Sequence, residues 1–147
     1  MRFAVALTVV LVSLNGCSSD PEQDYCDQLS GARATLVGLA LRSGGDEGSY
    51  LEPALRLFED LRESSPSRLR DEWDTFAFAW RDLVEAVEDT GVDPTTFDPA
   101  KKPEDLSDAD FERVKGAAAE LGSARVRDAV DGITQHAKDV CDLSLDL

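Results

Sequence analysis

A stripe of large apolar side chains between residues 69 and 87 constrains the fold more than any other feature of this sequence. Its spacings alternate between four and three, the repeat that keeps side chains on one face of a helix. A strand, whose side chains alternate with a period of two, cannot produce this pattern. We interpret its tryptophans as core residues rather than a ligand cage, because aromatic side chains at this spacing usually pack inward. The stripe consists of Leu69, Trp73, Phe76, Trp80, Leu83 and Val87, widened by Ala77 and Val84.

Proline, glycine and serine residues divide the first half of the chain into two further helices. Asp20 is predicted to cap helix 1, with Gln23 reaching back to the cap. Helix 2 follows the glycine-rich segment 43–48, and Ser65 is expected to end it and to cap helix 3. The residues expected to face inward are Tyr25, Leu29, Ala32, Leu36, Leu39, Ala40, Leu55, Leu57, Phe58 and Leu61.

The second half begins with a long connection, residues 91–106, that contains three prolines. Ser107 is predicted to cap helix 4, with Asp110 three residues later. Ser123 caps helix 5 unless helices 4 and 5 form one helix bent around Gly122. The inward residues of helix 5 are expected to be Val126, Val130, Ile133, Ala137 and Val140. Since no segment shows the period of two that a half-buried strand requires, the predicted fold class is all-α.

The first seventeen residues have the pattern of a secretory signal. Arg2 precedes an apolar run that ends in Leu14-Asn15-Gly16-Cys17, and this run is too short for a transmembrane helix. It resembles the lipobox of bacterial lipoproteins, in which the cysteine receives diacylglycerol on its sulfur and becomes the new N-terminus. We therefore expect residues 1–16 to be a signal peptide and Cys17 to be lipidated. An ordinary cleaved signal, which would leave Cys17 free, is the alternative.

This interpretation leaves residues 17–20 as a lipidated tether and residues 21–147 as a single helical-bundle domain. The two remaining cysteines, Cys26 and Cys141, are even in number and would lie in an oxidising compartment, which favours a disulfide. A redox or metal-binding thiol pair does not fit their spacing. The bond predicts an antiparallel bundle of four to five helices closed by a disulfide between the first and last helix. With five helices, one connection must break simple up-down alternation, and residues 91–106 are long enough to do so.

The charge of the chain limits its partners. The net charge is −15, and it becomes −16 without residues 1–16, which contain Arg2 and no acid. A surface this acidic argues against nucleic acid, whose phosphates select lysine and arginine. It also argues against a domain that lies flat on an anionic membrane, so the lipid on Cys17 would provide the anchor. Solubility explains the acidity, and a docking surface for a basic partner is the functional alternative.

Catalytic and metal-binding patterns are absent from the sequence. No nucleophile elbow, zinc-protease motif, phosphate loop or dinucleotide fingerprint occurs. The single histidine, His136, flanks the apolar face of helix 5 and is expected to be solvated or at its rim. Three acids near the start of helix 4 lack the glycine of a calcium loop and suit a helix N-terminus without any ion: Asp105, Asp108 and Asp110. We therefore predict no enzyme activity, no cofactor and no metal.

Phe78 is the one aromatic residue of helix 3 that the periodicity places almost opposite the stripe. A lone exposed aromatic residue is common on protein surfaces. If Phe78 belongs to a larger apolar patch, it is the candidate contact for a partner.

Several short motifs together resemble a known class of proteins. Their order is the lipobox, Tyr25-Cys26-Asp27, the Ser-Pro-Ser-x-Leu sequence from Ser65, Gly91-Val92-Asp93 and a terminal Val-Cys-Asp-Leu. This order is similar to that of small, acidic, cysteine-bridged lipoproteins of actinobacteria. The resemblance implies a lipid-anchored protein on the extracytoplasmic face of the cell membrane, with no established activity and no catalytic residue.

Two functions follow as expectations. The first is a non-enzymatic lipoprotein that serves as a protein-interaction or accessory module of the cell envelope, with an envelope protein as its partner. The alternative is a carrier of a small apolar ligand or lipid in a cavity between the helices. Such a cavity needs small residues facing one another, and four alanines are available for it: Ala117, Ala118, Ala119 and Ala129.

Overall fold

The computed structural model describes residues 20–42, 50–93 and 101–145, with side chains described except at residues 40–42. Within these ranges the chain is an antiparallel bundle of five α-helices and has no strand. The all-α prediction is confirmed, and helices 4 and 5 are separate. The signal segment, Cys17 and the segment 43–48 lie outside the described residues, as does part of the long connection. The helices are α1 (Pro21–Arg42), α2 (Leu51–Ser64), α3 (Arg70–Glu88), α4 (Asp108–Leu121) and α5 (Ala124–Val140).

Three of the predicted helix caps are present. The Asp20 carboxylate accepts a hydrogen bond from the backbone N–H of Glu22 at 3.0 Å. The Ser107 hydroxyl accepts from the backbone N–H of Asp110 at 3.1 Å, and the Ser123 hydroxyl accepts from that of Val126 at 3.2 Å. Each bond satisfies one of the backbone donors that a helix leaves free in its first turn.

The predicted caps at Ser65 and Gln23 are wrong. The Ser65 hydroxyl donates to the carbonyl of Arg62 at 2.7 Å and so closes α2, whose last carbonyls lack partners within the helix. Pro66 is extended and is followed by a 3-10 turn, Ser67–Leu69, before α3 begins at Arg70. The Gln23 amide donates forward to Asp27, one turn along α1, rather than back to the cap.

Helix α3 lies at the centre of the bundle and contacts α2, α4 and α5. Its predicted stripe is buried along its length, apart from Trp80, which is half-buried. Trp80 packs at the boundary between two hydrophobic clusters. The larger cluster joins α1, α2, α5 and the first half of α3, and the smaller joins the second half of α3 to Leu51 and Val114. The tryptophans are therefore core residues, as their spacing predicts.

The buried face of α2 differs from the prediction. Leu51 and Ala54 are fully buried, whereas Leu55 and Leu57 are half-buried. At 3.6 residues per turn, Leu55 and Leu57 lie on opposite edges of the face that Leu51, Ala54 and Phe58 share. The prediction therefore included two residues at the edges of the buried face, Leu55 and Leu57. It missed Leu51 and Ala54, which lie on this face in the first turn of the helix.

Val140 was predicted to face inward, and this prediction is wrong because its side chain is 46% exposed. Its angular position on α5 matches that of Ile133 and Ala137, which are fully buried. However, His136 already lies opposite the 3-10 turn that precedes α3. Val140 lies one turn beyond that contact, in the last turn of α5, where its angle around the helix no longer decides its burial.

Candidate functional site at the disulfide end

A disulfide bond joins Cys26 to Cys141, as the sequence predicts. The two Cα atoms are 5.2 Å apart, although the residues are separated by 115 positions in the sequence. Cys26 lies in the second turn of α1, and Cys141 caps the C-terminus of α5. The bond therefore fixes the start of the first helix against the end of the last one. We call this region, together with the 3-10 turn Ser67–Leu69, the disulfide end of the bundle.

Beside the disulfide, two aromatic residues share a buried hydrogen bond. The indole N–H of Trp73 donates to the hydroxyl of Tyr25 at 3.0 Å, and both side chains are fully buried. Burial raises the pKa of Tyr25 to about 12, against the smaller opposing effect of the Trp73 hydrogen bond. The phenol is therefore neutral, and its role is to give the buried indole N–H an acceptor.

Three charged or titratable side chains from three elements meet next to this pair. Glu22 comes from α1, Arg68 from the 3-10 turn and His136 from α5, and we call them the histidine cluster. The Arg68 guanidinium forms an ion pair with the Glu22 carboxylate, and its Nε donates to His136 Nδ1 at 3.4 Å. His136 Nε2 lies 3.2 Å from Glu22 Oε1. Because the guanidinium can only donate, Nδ1 must be the acceptor, which assigns the neutral imidazole to the Nε2–H tautomer.

His136 is buried, so the prediction of a solvated or rim histidine is wrong. Its exposed fraction is 8%, and its ring centroid lies 5.9 Å from that of Tyr25. Burial lowers the pKa of His136, the positive charge of Arg68 lowers it further, and Asp139 opposes both. The imidazole is therefore neutral near pH 7.

A paired carboxylate and imidazole is the arrangement that activates nucleophiles in many hydrolases. Here the carboxylate is shared with Arg68, and the imidazole is almost closed to solvent. Both of its nitrogens face protein groups, so a substrate has no direct route to either one. The geometry therefore suits an internal polar contact among three elements better than acid–base chemistry on a bound molecule.

Phe78, the predicted interaction residue, lies on the outer side of α3. Its side chain is 40% exposed, as the helical periodicity predicts. The guanidinium carbons of Arg62 and Arg81 lie 5.0 and 5.1 Å from its ring centroid, so the ring is flanked by two cations. Arg62 is paired with Asp74, and Arg81 donates to Glu59 at 2.5 Å. The other exposed large apolar side chains among the described residues, Val37 and Val140, lie on α1 and α5, so the structure does not place Phe78 in the larger apolar patch on which the predicted partner contact depended. We call Phe78 and its two arginines the Phe78 surface.

The acids near the start of α4 have partners of their own. Asp108 is paired with Lys102, whose hydrogen bond lowers the pKa of this carboxyl. Asp110 accepts from the Ser107 hydroxyl at 2.7 Å, which lowers its pKa, and from Arg113. In the part of the chain that the structure describes, no group of three or more histidine, cysteine, aspartate or glutamate residues could hold a metal ion.

The alanines considered as cavity-lining residues are spread over different surfaces. Ala129 is buried, Ala117 is half-buried, and Ala118 and Ala119 are exposed on α4. Three of the four therefore do not lie in the interior.

Two residues of the histidine cluster, Glu22 and Arg68, could not be identified from the sequence, because nothing in their local patterns shows that they meet His136. The only available clue was that the single histidine borders an apolar face.

Within the described ranges, no helix is both long and apolar enough to cross a membrane. Comparison with known proteins finds no match: no family model, curated protein or solved structure is similar to this chain.

Proposed function

We propose that this protein is a membrane-anchored extracytoplasmic lipoprotein that acts as a non-enzymatic interaction or accessory module of the cell envelope. The observation that carries the proposal is the sequence Leu14-Asn15-Gly16-Cys17 directly after a short apolar run. The bond between Cys26 and Cys141 supports it, because disulfides persist in oxidising compartments and are rare in the cytosol of most organisms. The near-complete burial of His136 supports a role without catalysis.

The anchor is tested by following the protein between membrane and soluble fractions. With diacylglycerol on Cys17, the protein should fractionate with membranes, and the lipid mass should appear on a peptide that begins at Cys17. Cys17→Ser should move the protein to the soluble fraction, because no acyl chain then remains to hold it. Cys26→Ser is the matched control, since it removes a different cysteine and should leave the protein in the membrane fraction. A Cys17→Ser variant that still fractionates with membranes would contradict the anchor.

For the partner contact, we propose the Phe78 surface. Aromatic and arginine side chains are enriched among the residues that dominate binding energy at protein interfaces. The ion pairs with Asp74 and Glu59 hold both arginines beside the ring, which lowers the entropy that binding would cost. The surface is therefore ordered before any partner arrives.

Phe78→Asp should weaken association with an envelope partner and leave the helical signal and the Tm nearly unchanged. Cross-linking on intact cells, followed by recovery of the protein, measures the association. Val37→Asp on α1 is the matched control, because Val37 is also apolar and 44% exposed but lies on another helix. Equal loss of cross-links in both variants would contradict a specific role for Phe78. A large fall in Tm for Phe78→Asp would show that the residue supports the fold instead.

A further inference from the structure

We propose that the histidine cluster is a proton-operated latch: when His136 gains a proton, Glu22 exchanges Arg68 for the imidazolium, and the ion pair that ties the 3-10 turn to α1 is broken. The proposal concerns contacts within the bundle and does not depend on the lipid anchor or on the Phe78 surface. In the histidine cluster, Arg68 of the 3-10 turn and His136 of α5 both contact the carboxylate of Glu22 on α1.

When the imidazole of His136 is neutral, the polar atoms of the histidine cluster are only partly hydrogen-bonded. The hydrogen bond from Arg68 Nε to His136 Nδ1 is long, at 3.4 Å. His136 Nε2 and Glu22 Oε1 lie within ion-pair distance but are not aligned for a hydrogen bond, and both atoms are buried. The strongest contact is therefore the ion pair between Arg68 and Glu22, which ties the 3-10 turn to α1.

A proton on His136 makes the imidazolium, rather than Arg68, the preferred partner of Glu22. It occupies Nδ1, so the imidazolium then presents an N–H to the N–H of Arg68, and two positive charges face each other. On the other side of the ring, the charged Nε2–H attracts the Glu22 carboxylate, and their contact becomes a charge-assisted one. The carboxylate now has two competing cations, and the two cations repel each other.

Solvent access decides which cation leaves. The Arg68 side chain is 53% exposed, whereas the His136 side chain is only 7% exposed. Arg68 can rotate into water and be hydrated there, but His136 cannot reach solvent without the displacement of α5. Glu22 therefore stays with the imidazolium, and Arg68 departs.

The groups around the imidazole have opposing effects on its protonation. Glu22 on α1 and Asp139 on α5 favour the proton, whereas Arg68 and burial oppose it. Tyr25, which also faces the ring, stays neutral. On α3, Glu72 packs against Gly132, one turn before His136 on α5. Burial and the charge of Arg68 together hold the pKa of His136 below its ordinary value.

Release of Arg68 should loosen the 3-10 turn but not the ends of α1 and α5 that the disulfide joins. The 3-10 turn connects α2 to α3, and Leu69 within it donates its backbone N–H to the carbonyl of Pro66 at 2.9 Å. The disulfide continues to hold α1 against α5 whatever the charge on His136. Protonation should therefore affect residues 66–70 and leave the joined ends of α1 and α5 in place.

Nuclear magnetic resonance on the full-length, nitrogen-15-labelled protein in detergent micelles tests the latch. The chain has one histidine, so its imidazole signals are unambiguous. We expect the Nε2–H tautomer near pH 7.5 and a protonation midpoint below about 6.5. The Arg68 Nε–H signal and the amide signals of residues 67–69 should change with the same midpoint. An Nδ1–H tautomer, an imidazole that stays neutral until the protein unfolds, or an Arg68 signal that does not follow His136 would overturn the proposal.

Three variants separate the latch from a general effect of acid. Arg68→Gln should raise the midpoint of His136, because it removes the repelling charge. Glu22→Gln should lower the midpoint and give the Arg68 signal its acidic-state position already at neutral pH. Glu52→Gln is the matched control, since Glu52 forms an exposed ion pair with Arg56 at 2.6 Å on α2, and it should leave the midpoint unchanged. Equal shifts in Glu22→Gln and Glu52→Gln would overturn the exchange.

Discussion

His136 is the one side chain of this protein whose ordinary pKa lies between pH 5 and 8, and its burial fixes the sign of its effect on stability. Its pKa is lower in the folded protein than in the unfolded chain, with burial as the main cause and Arg68 as the second. Well above about pH 6.5 both states hold a neutral imidazole, so the residue adds no pH dependence there. As the pH falls through this value, the unfolded chain binds a proton before the folded protein does.

The free energy of unfolding should therefore begin to fall as the pH approaches about 6.5 from above, and the fall should end once the pH lies below the folded-state pKa of His136. Urea unfolding at a series of pH values measures it. His136→Gln should flatten the curve across this window, because glutamine does not titrate. A curve of the same slope in the variant would assign the pH dependence to the carboxylates instead.

The hydrogen bond between Tyr25 and Trp73 leads to a second prediction at this scale. Tyr25→Phe keeps the ring but leaves the indole N–H of Trp73 buried without an acceptor. We expect the variant to lose about 1–3 kcal/mol of unfolding free energy, the usual cost of an unsatisfied buried donor. Tyr50→Phe is the control, because Tyr50 is only half-buried and packs edge-on against Trp80. Equal losses in the two variants would argue against a special role for this bond.

The sequence could not predict the histidine cluster, and the reason is distance along the chain. His136 and Arg68 are 68 positions apart, and neither lies in a motif that indicates the other. Helical periodicity reports only the angle of a side chain around its own helix. It placed Phe78 on the outside of α3 correctly, since the angle alone decides that position. It could not show that α5 faces the junction between α1 and the 3-10 turn, where His136 becomes buried.

At the scale of whole elements, helical periodicity and capping patterns predicted most of the structure. The stripe of α3 and the caps at Ser107 and Ser123 depend on residues within one or two turns, which is where local rules apply. Errors arose where a neighbouring element ends. Val140 has the angle of a core residue, but it lies in the last turn of α5 and is 46% exposed. Ser65 has the chemistry of an N-cap, but the unpaired carbonyls at the end of α2 are closer to its hydroxyl.

The disulfide between α1 and the end of α5 should make a large contribution to stability. It closes a loop over 115 positions, and loop-closure entropy gives such a bond a stabilisation of about 4–5 kcal/mol. Reduction should therefore lower the Tm markedly, since this amount is a large share of the stability of a small domain. Calorimetry with and without reductant measures it. Cys26→Ser and Cys141→Ser should each reproduce the loss, and the double variant should lose no more than either. Alkylation of both thiols in native, non-reduced protein would show that the bond is absent.

At the scale of the whole molecule, charge is the dominant feature. A net charge of −15 on a 147-residue chain produces self-repulsion that opposes the compact state. Several ion pairs of the described residues are largely exposed, such as those of Arg56 with Glu52 and of Lys115 with Glu112, and pairs of this kind contribute little. Screening by salt therefore removes more repulsion than attraction.

We expect the urea midpoint of unfolding to rise as sodium chloride is increased from about 0.02 to 0.3 M at neutral pH, a range over which the screening length shortens severalfold. Parallel measurements in sodium sulfate, which also strengthens hydrophobic burial, separate the two effects. A midpoint that falls with sodium chloride would show that attractive pairs such as that between Arg68 and Glu22 outweigh the net repulsion.

The bond between Cys26 and Cys141 also closes the chain between these two residues into a covalent ring. A protease that cuts one peptide bond anywhere between these cysteines opens the ring but does not divide the molecule. The two pieces separate only after a second event, which is reduction of the bond. A protein anchored through its N-terminal tail would therefore keep all five helices at the membrane after a single cut, whereas a cut in that tail would release them together.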